Sequence, residues 1–194
     1  PPVAKQMCQQ CHEPPGSPKK FQPKVAGAEL CRGCHAPKMS EMLDKSRVHW
    51  PVVEGEACLN CHSPHAARES GLLRANMVET CGACHADTIK RQALSPTKHD
   101  PVRDGNCTAC HDPHSGNAPL MLANADLVEM CGACHDWLKH SSHPMGAKYK
   151  DPRNPNLVVQ CLSCHRSHGT EYKHMMPYAT TSETCTKCHE RFRR

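Results

Sequence analysis

Residues 49–85 read H-W-P-V-V-E-G-E-A-C-L-N-C-H-S-P-H-A-A-R-E-S-G-L-L-R-A-N-M-V-E-T-C-G-A-C-H, and this stretch decides the fold. It holds two C-x-x-C-H motifs, Cys58-Cys61-His62 and Cys81-Cys84-His85, whose first cysteines are 23 residues apart. C-x-x-C-H is the attachment signature of a covalent c-type haem. The spacing has a mechanical reason. One turn of chain brings two thiols to the two vinyl groups of one porphyrin, and the next residue projects its imidazole under the iron. His65 follows His62 by three residues, and His49 precedes the first motif.

Outward from this stretch the pattern repeats. Residues 99–135 are a near copy, with His99, Pro101 and Gly105 ahead of Cys107-Cys110-His111, His114 three residues on, and V-E-M-C-G-A-C-H closing on Cys131-Cys134-His135. Residues 140–189 are looser, carrying Cys161-Cys164-His165 and Cys185-Cys188-His189 with His140 and His143 upstream and His168 downstream. Residues 8–35 carry Cys8-Cys11-His12 and Cys31-Cys34-His35 but neither accessory histidine, and Pro15 stands where His65 stands. A repeat of this period signals a quasi-linear array rather than one globule.

All 16 cysteines are used by these eight motifs. Structural zinc also uses C-x-x-C pairs, and small exported chains often hold many disulfides. Neither needs a histidine directly after every second cysteine, so eight covalent haems are the expected cofactor.

Composition points the same way. Leu, Val, Ile and Phe together make up about 13% of the 194 residues, below the roughly 20% at which a chain builds its own core. Seventeen prolines and eleven glycines favour irregular backbone. Eight macrocycles, one per about 24 residues, would be the interior, and the polypeptide a thin wrapper. The formal charge of +5 is mild, and seven aromatics are too few for a base-stacking surface, so nucleic acid is no expected partner. No apolar run is long enough to span a membrane. No export signal is visible, although a cleaved one fits an extracytoplasmic chain.

Eight histidines lie outside the motifs: His49, His65, His99, His114, His140, His143, His168 and His174. Eight irons each have one further axial site, so every haem can be bis-histidine. His65, His114 and His168 follow their motif histidine by three residues. None can reach the distal face of its own haem, whose proximal face the neighbour holds. Each must serve another iron and so tether two haems closely, with Pro64 and Pro113 stiffening the link. The haems at Cys8-Cys11 and Cys31-Cys34 must borrow ligands from later in the chain or from another molecule. A methionine can replace a histidine and raise a potential, but Met39, Met42 and Met130 sit among helix formers and read as packing.

The expected fold is mostly irregular coil with short α-helices wrapped around a closely packed array of eight covalent c-type haems, with negligible β structure. It is a single elongated domain over 1–194, made of the di-haem units 8–35, 49–85, 99–135 and 140–189. Helices are predicted over 37–46, 72–85, 86–94 and 126–135, each ending near a motif or a Pro/Gly stop. Loops are predicted over 13–24 and 144–156, and a strand only at 157–160.

The paired motifs with C-H-x-P-H resemble the doubled-CXXCH multihaem cytochromes c, well over 47–189 and as a degenerate unit over 8–35. Relatives include cytochromes of the periplasm and outer surface of metal-reducing bacteria, the wires of porin–cytochrome conduits and extracellular cytochrome filaments. The resemblance implies electron transfer, an extracytoplasmic location and bis-histidine haems. It assigns His65, His114 and His168 as second-haem ligands and His49, His99 and His143 as upstream distal ligands. It leaves His140, His174 and the first unit without an assigned pairing.

Bis-histidine iron exchanges electrons but offers no open position, which favours conduction over catalysis. A multihaem reductase of small oxyanions is the alternative and needs one five-coordinate haem. Within conduction, a monomeric wire and a polymer with haem contacts across subunits both remain. Partners are then redox proteins, extracellular acceptors or further copies of the chain. The basic ends, Lys19-Lys20 and residues 191–194, are read as solvated or as contacts to propionates or an acidic partner.

Overall fold

A computed structural model describes residues 2–140 and 143–190; the basic residues 191–194 lie outside the described residues. The chain folds as helices α1 (Glu29–Leu43), α2 (Met77–Leu94), α3 (Asp100–Arg103), α4 (Leu127–Gly132), α5 (Cys161–Cys164) and α6 (Thr181–Cys185), joined by single 3-10 turns and long irregular connections. Strands β1 (Arg47–Val48), β2 (Ser115–Gly116), β3 (Lys150–Asp151) and β4 (Asn154–Val158) make two antiparallel pairs, β1 with β2 and β3 with β4. The expectation of coil and short helices holds, with these two small sheets added.

Two compact units form. One contains 1–83 and 112–121; the other contains 84–111 and 122–194. In the first, Val48 pairs with Ser115 and Arg47 with Gly116. Ser46 N donates to Asn117 Oδ1 (2.9 Å), and His49 N donates to the His114 carbonyl (2.9 Å). These bonds fix the backbone of two candidate ligands. In the second unit, Thr97 and Thr170 exchange both backbone hydrogen bonds at 3.0 Å. That bridge lies two residues from His99 and two from His168. Gly169 (φ +124°) makes it possible, because a Cβ there would sit 2.8 Å from the Thr97 carbonyl oxygen.

The polypeptide hides almost nothing of itself. Among the described residues the buried hydrophobics are Ala57, Ala118, Leu127 and Val159, and no large side chain is fully buried. Trp50, Leu94 and Leu120 are 69%, 73% and 78% exposed. A chain this size ordinarily closes on its own aliphatic core; this one lines surfaces with its apolar groups instead, as the composition required.

Several element boundaries differ from expectation. The first helix starts at Glu29, not at 37, because the motif Cys31-Cys34-His35 is itself helical. His35 (φ −109°, ψ 15°) leaves helical values, so Pro37 falls in the turn after a break, where its missing N–H costs little. The two helices predicted at 72–85 and 86–94 run as one, with His85 (φ −102°, ψ 35°) non-helical inside it; residues 72–76 stay outside because Gly71 and Leu72 are left-handed. The expected loop 144–156 instead contains β3 and the start of β4. The strand ends at Val158, not 160, because Gln160 caps α5 through a reciprocal bond with Ser163.

Candidate haem array

The first motif of each pair lies on a tight turn that is built the same way four times. The motif histidine N–H bonds back to the first cysteine carbonyl: His12 to Cys8 (2.9 Å), His62 to Cys58 (3.0 Å), His111 to Cys107 (3.1 Å) and His165 to Cys161 (2.9 Å). The next residue then donates to a carbonyl nine positions on, Glu13 to Gln22, Ser63 to Leu72 and Asp112 to Met121 at 2.8 Å, and Arg166 to Met175 at 2.9 Å. The motif ring is clasped by the same loop. Nδ1–H of His12 donates to the Phe21 carbonyl (2.7 Å), that of His62 to Gly71 (2.7 Å) and that of His165 to His174 (2.8 Å). A donating Nδ1 leaves the Nε2 lone pair for a metal and fixes the ring's direction. Left-handed residues close each loop: Phe21, Leu72 with Gly71, Leu120 with Met121, and His174 with Met175. The first unit, degenerate in its ligands, therefore keeps the full clasp.

The second motif of each pair sits on or beside a helix. Three of these helices have side-chain caps, which offset their unpaired N–H groups. Asn76 Oδ1 accepts from Glu79 N (3.0 Å), and Asp126 Oδ1 accepts from Val128 N (2.8 Å) and Glu129 N (3.2 Å). Thr180 and Glu183 form a reciprocal capping box at 3.1 and 3.0 Å. None of these carbonyl clasps or caps was singled out as a site from sequence. The signals that were present are Gly71 and the N-cap residue types Asn, Asp and Thr.

Motif imidazoles face a second imidazole across the following pairs. His12 faces His65 (ring centroids 5.6 Å apart, planes at 13°) and His62 faces His114 (6.1 Å, 17°). His135 faces His99 (5.7 Å, 25°), His111 faces His168 (6.0 Å, 52°), His165 faces His140 (6.1 Å, 76°) and His189 faces His143 (6.4 Å, 75°). Two metal–nitrogen bonds of about 2 Å in line between two rings set their centroids about 6 Å apart, so the pairs fit one iron each. His12 Nε2 and His65 Nε2 are 3.4 Å apart, and holding an iron between them would require that separation to widen by about half an ångström.

The pairing has a rule. His65, His114 and His168 each face the first-motif histidine of the preceding pair, not that of their own motif. The last pair has no following unit within residues 1–194, and His140 takes that place from upstream. His99 stands 36 residues before His135 and His49 stands 36 before His85; His49 Nδ1–H is held by the Pro113 carbonyl (2.8 Å). His143 serves the same role at a spacing of 46, the hairpin β3–β4 accounting for the longer interval. His35 and His174 are exposed, and among the described residues no imidazole faces either ring.

Burial, then the neighbouring Cys58, pushes the Cys31 thiol up to about 11. Burial, then Cys161, pushes Cys131 to about 12. The contacts also place attachment points of successive haems side by side, Cys31 with Cys58 and Cys131 with Cys161. No disulfide forms, and among the described residues no group of three or more His, Cys, Asp or Glu gathers around a point. Burial and the facing His135 hold the His99 imidazole below its usual pKa, and burial does the same for His114 against the pull of Asp112. Both shifts favour the neutral imidazole, the form that binds metal. A cavity of about 450 Å³ opens beside the first motif, lined by Cys8, His12, Pro15 and Phe21 among others, a size that suits a cofactor.

Four repeated attachment pairs, clasped proximal rings and facing imidazoles define a multihaem c-type cytochrome. The chain belongs to the doubled CXXCH motif family, which matches residues 1–40, 49–90, 99–140 and 154–194. No curated protein matches it. The motifs give eight haem c sites, and the work of such a chain is electron transfer. No described helix is long and apolar enough to cross a membrane.

Proposed function

We propose that this chain conducts electrons along a closely spaced series of bis-histidine haems in extracytoplasmic respiration, as a wire at the cell surface or in the periplasm. The observation that carries the reading is the set of facing imidazole pairs at 5.6–6.4 Å. Each haem, once bound, supplies a one-electron Fe(III)/Fe(II) couple. The chain's own residues hold the macrocycles through sixteen thioethers, orient the proximal rings through the Phe21, Gly71 and His174 carbonyls, and cap irons from the far side. An iron closed on both faces exchanges electrons without binding substrate, which supports a carrier over an oxyanion reductase.

The tethers support tight coupling. His62 and His65 lie on one short segment yet face different irons, and the same holds for His111 with His114 and His165 with His168. Eight haems, each adding two propionates and a ferric core, would take the formal charge from +5 to about −3 oxidised and about −11 reduced. Each added electron then opposes the next. The test is a spectroscopic redox titration of the haem-loaded protein. A curve much broader than a single one-electron wave is expected, over low-spin iron. One sharp wave would count against a coupled array, and a largely high-spin resting spectrum would favour the reductase. A filament of many copies and a wire seated in a porin are the two assemblies compatible with this array, and electron microscopy of the loaded protein separates them.

A further inference from the structure

Resting on the bis-histidine reading above, we infer that the guanidiniums of Arg153 and Arg166 make the haem anchored at Cys161-Cys164-His165 the most easily reduced of the four first-motif haems, so that electrons collect on the repeat at 140–189.

The four first motifs are built on one clasped turn, but the charges around them differ. The residue directly after the motif histidine is Glu13, Ser63, Asp112 and Arg166 in turn. Arg166 folds its side chain back over its own motif, and its Nη1–H donates to the Leu162 and His165 carbonyls, both at 3.0 Å. Arg153 reaches the same motif from the hairpin, its Nη2–H donating to the Ser163 carbonyl at 3.3 Å. Three carbonyls of C-L-S-C-H thus face a guanidinium. Arg74 is the counterpart in the second repeat and donates to the His62 carbonyl at 3.3 Å, but Glu56 Oε2 lies 3.5 Å from its Nη2. The turns at His12 and His111 carry a carboxylate at the position that Arg166 holds.

Reduction takes one electron, turns Fe(III) into Fe(II) and lowers the charge of the haem by one. A fixed positive charge nearby disfavours the ferric form more than the ferrous form and so raises the potential, whereas a carboxylate lowers it. Arginine keeps its charge at any working pH. The buried Asp151 does not cancel Arg153. It accepts from Arg153 Nε and Nη2 at 2.9 and 2.5 Å and so fixes the guanidinium against the motif. Burial, then Cys188, pushes the Cys164 thiol up, and against them Arg153 pulls it down more strongly than Asp151 raises it. The attachment sulfur therefore senses the positive end of the pair. Arg166 is exposed, so salt weakens its share. The expected order of reduction is the iron on His165 first, that on His62 next, and those on His12 and His111 last.

The test is a titration of the haem-loaded chain at an electrode, followed by magnetic resonance, with eight haems per chain first checked by intact mass in every variant. The angle between axial rings separates the irons, 76° on His165 against 13° and 17° on His12 and His62. The signal missing from His140→Ala marks the iron on His165. In the wild type that signal is expected to disappear at a higher potential than the nearly parallel ones. Arg166→Gln and Arg153→Gln should each move it to lower potential. Arg166→Lys, which keeps the charge without the planar fork, should hold it close to the wild type. Added salt should shrink the Arg166→Gln shift. Asp151→Asn should move the signal up, whereas a hairpin that merely loosened would admit water, favour the charged ferric form and move it down. The inference is overturned if the iron on His165 is reduced after those on His12 and His62, if Arg166→Lys shifts it as far as Arg166→Gln, or if Asp151→Asn lowers it. A largely high-spin wild-type spectrum would instead fail the bis-histidine reading itself.

Discussion

The facing histidines of the first repeats and of the last differ in how their planes meet. His12 with His65 and His62 with His114 lie nearly parallel, at 13° and 17°, whereas His165 with His140 and His189 with His143 cross at 76° and 75°. The two groups also differ in where the second imidazole comes from. In the first two cases it hangs from a C-H-x-P-H turn, and the backbone of His114 is held by the His49 N–H of the preceding repeat. In the last it comes from the segment 140–143, upstream of the hairpin β3–β4. A repeat that can borrow from its successor inherits a fixed ligand geometry. The repeat at 140–189 takes its facing imidazoles from upstream instead, at 76° and 75°. Because mutual ring orientation sets the splitting of low-spin iron orbitals, magnetic resonance should resolve two families of signal.

Removing one ligand from each region gives the largest effects and tests the contrast directly. His114→Ala should leave the iron on His62 five-coordinate, deplete the near-parallel family and create one carbon-monoxide-binding haem. His114 is half-buried, and its loss should also cost about 2 kcal/mol in packing. His140→Ala should deplete the near-perpendicular family instead, with the iron on His165 opened. Its exposed ring implies a packing cost below about 1 kcal/mol. If both substitutions altered the same family, the assignment of planes to regions would be wrong.

Gly169→Ala comes next. The strained φ of +124° and the 2.8 Å approach to the Thr97 carbonyl should cost about 1–3 kcal/mol. Because the Thr97–Thr170 bridge lies beside both His99 and His168, this one methyl should loosen two haems at once. Thermal melting together with the low-spin amplitude checks it; a lower melting point with both haems unperturbed would separate the bridge from ligand positioning.

The array was legible in the sequence to the extent that covalent chemistry dictates it. A thiol spacing and an adjacent histidine leave the porphyrin no choice, and a histidine three residues further on is forced to another iron. That constraint sends His65, His114 and His168 away from their own haems but does not say to which motif. The partner of His165 was not legible either. Nothing in the local sequence separates His140 from His143, because the choice depends on how the hairpin β3–β4 positions the segment. The carbonyl clasps were invisible for a different reason: a backbone acceptor has no side-chain signature, and Phe21, Gly71 and His174 share only a left-handed turn. His174 shows the risk of counting. Eight spare imidazoles matched eight irons in number, yet the ring of this one faces no motif histidine among the described residues, while its carbonyl serves His165.

The hairpin that distinguishes the last repeat should respond to acid. Asp151 is 4% exposed, and bonds from the Arg153 guanidinium hold its pKa at about 2, below the ordinary 3.8. A carboxylate with a depressed folded pKa contributes stability that is complete above its unfolded value and is lost as protons bind the folded form. The hairpin should therefore keep its order down to about pH 4 and lose this contribution between about pH 4 and pH 2. Asp151→Asn should remove the pH step and cost about 1–3 kcal/mol at neutral pH. Amide exchange at residues 150–158 checks both, and an unchanged step in the variant would assign it to another group.

The smallest effect concerns the helices under the second motifs. Asp126→Ala removes the acceptor for Val128 N and Glu129 N at the start of α4, at a cost of about 1 kcal/mol. Cys131 and Cys134 sit at the far end of that helix and just beyond it, and a haem bound there through two thioethers and His135 would itself hold the last turn. The cap should therefore matter less in the loaded protein than in the haem-free chain. The helical signal of α4 should fray in the haem-free variant and recover once haem is attached. Equal fraying in both states would mean that the helix positions the haem without being stabilised by it, and the second motifs would then be true scaffolds where the first are clasps.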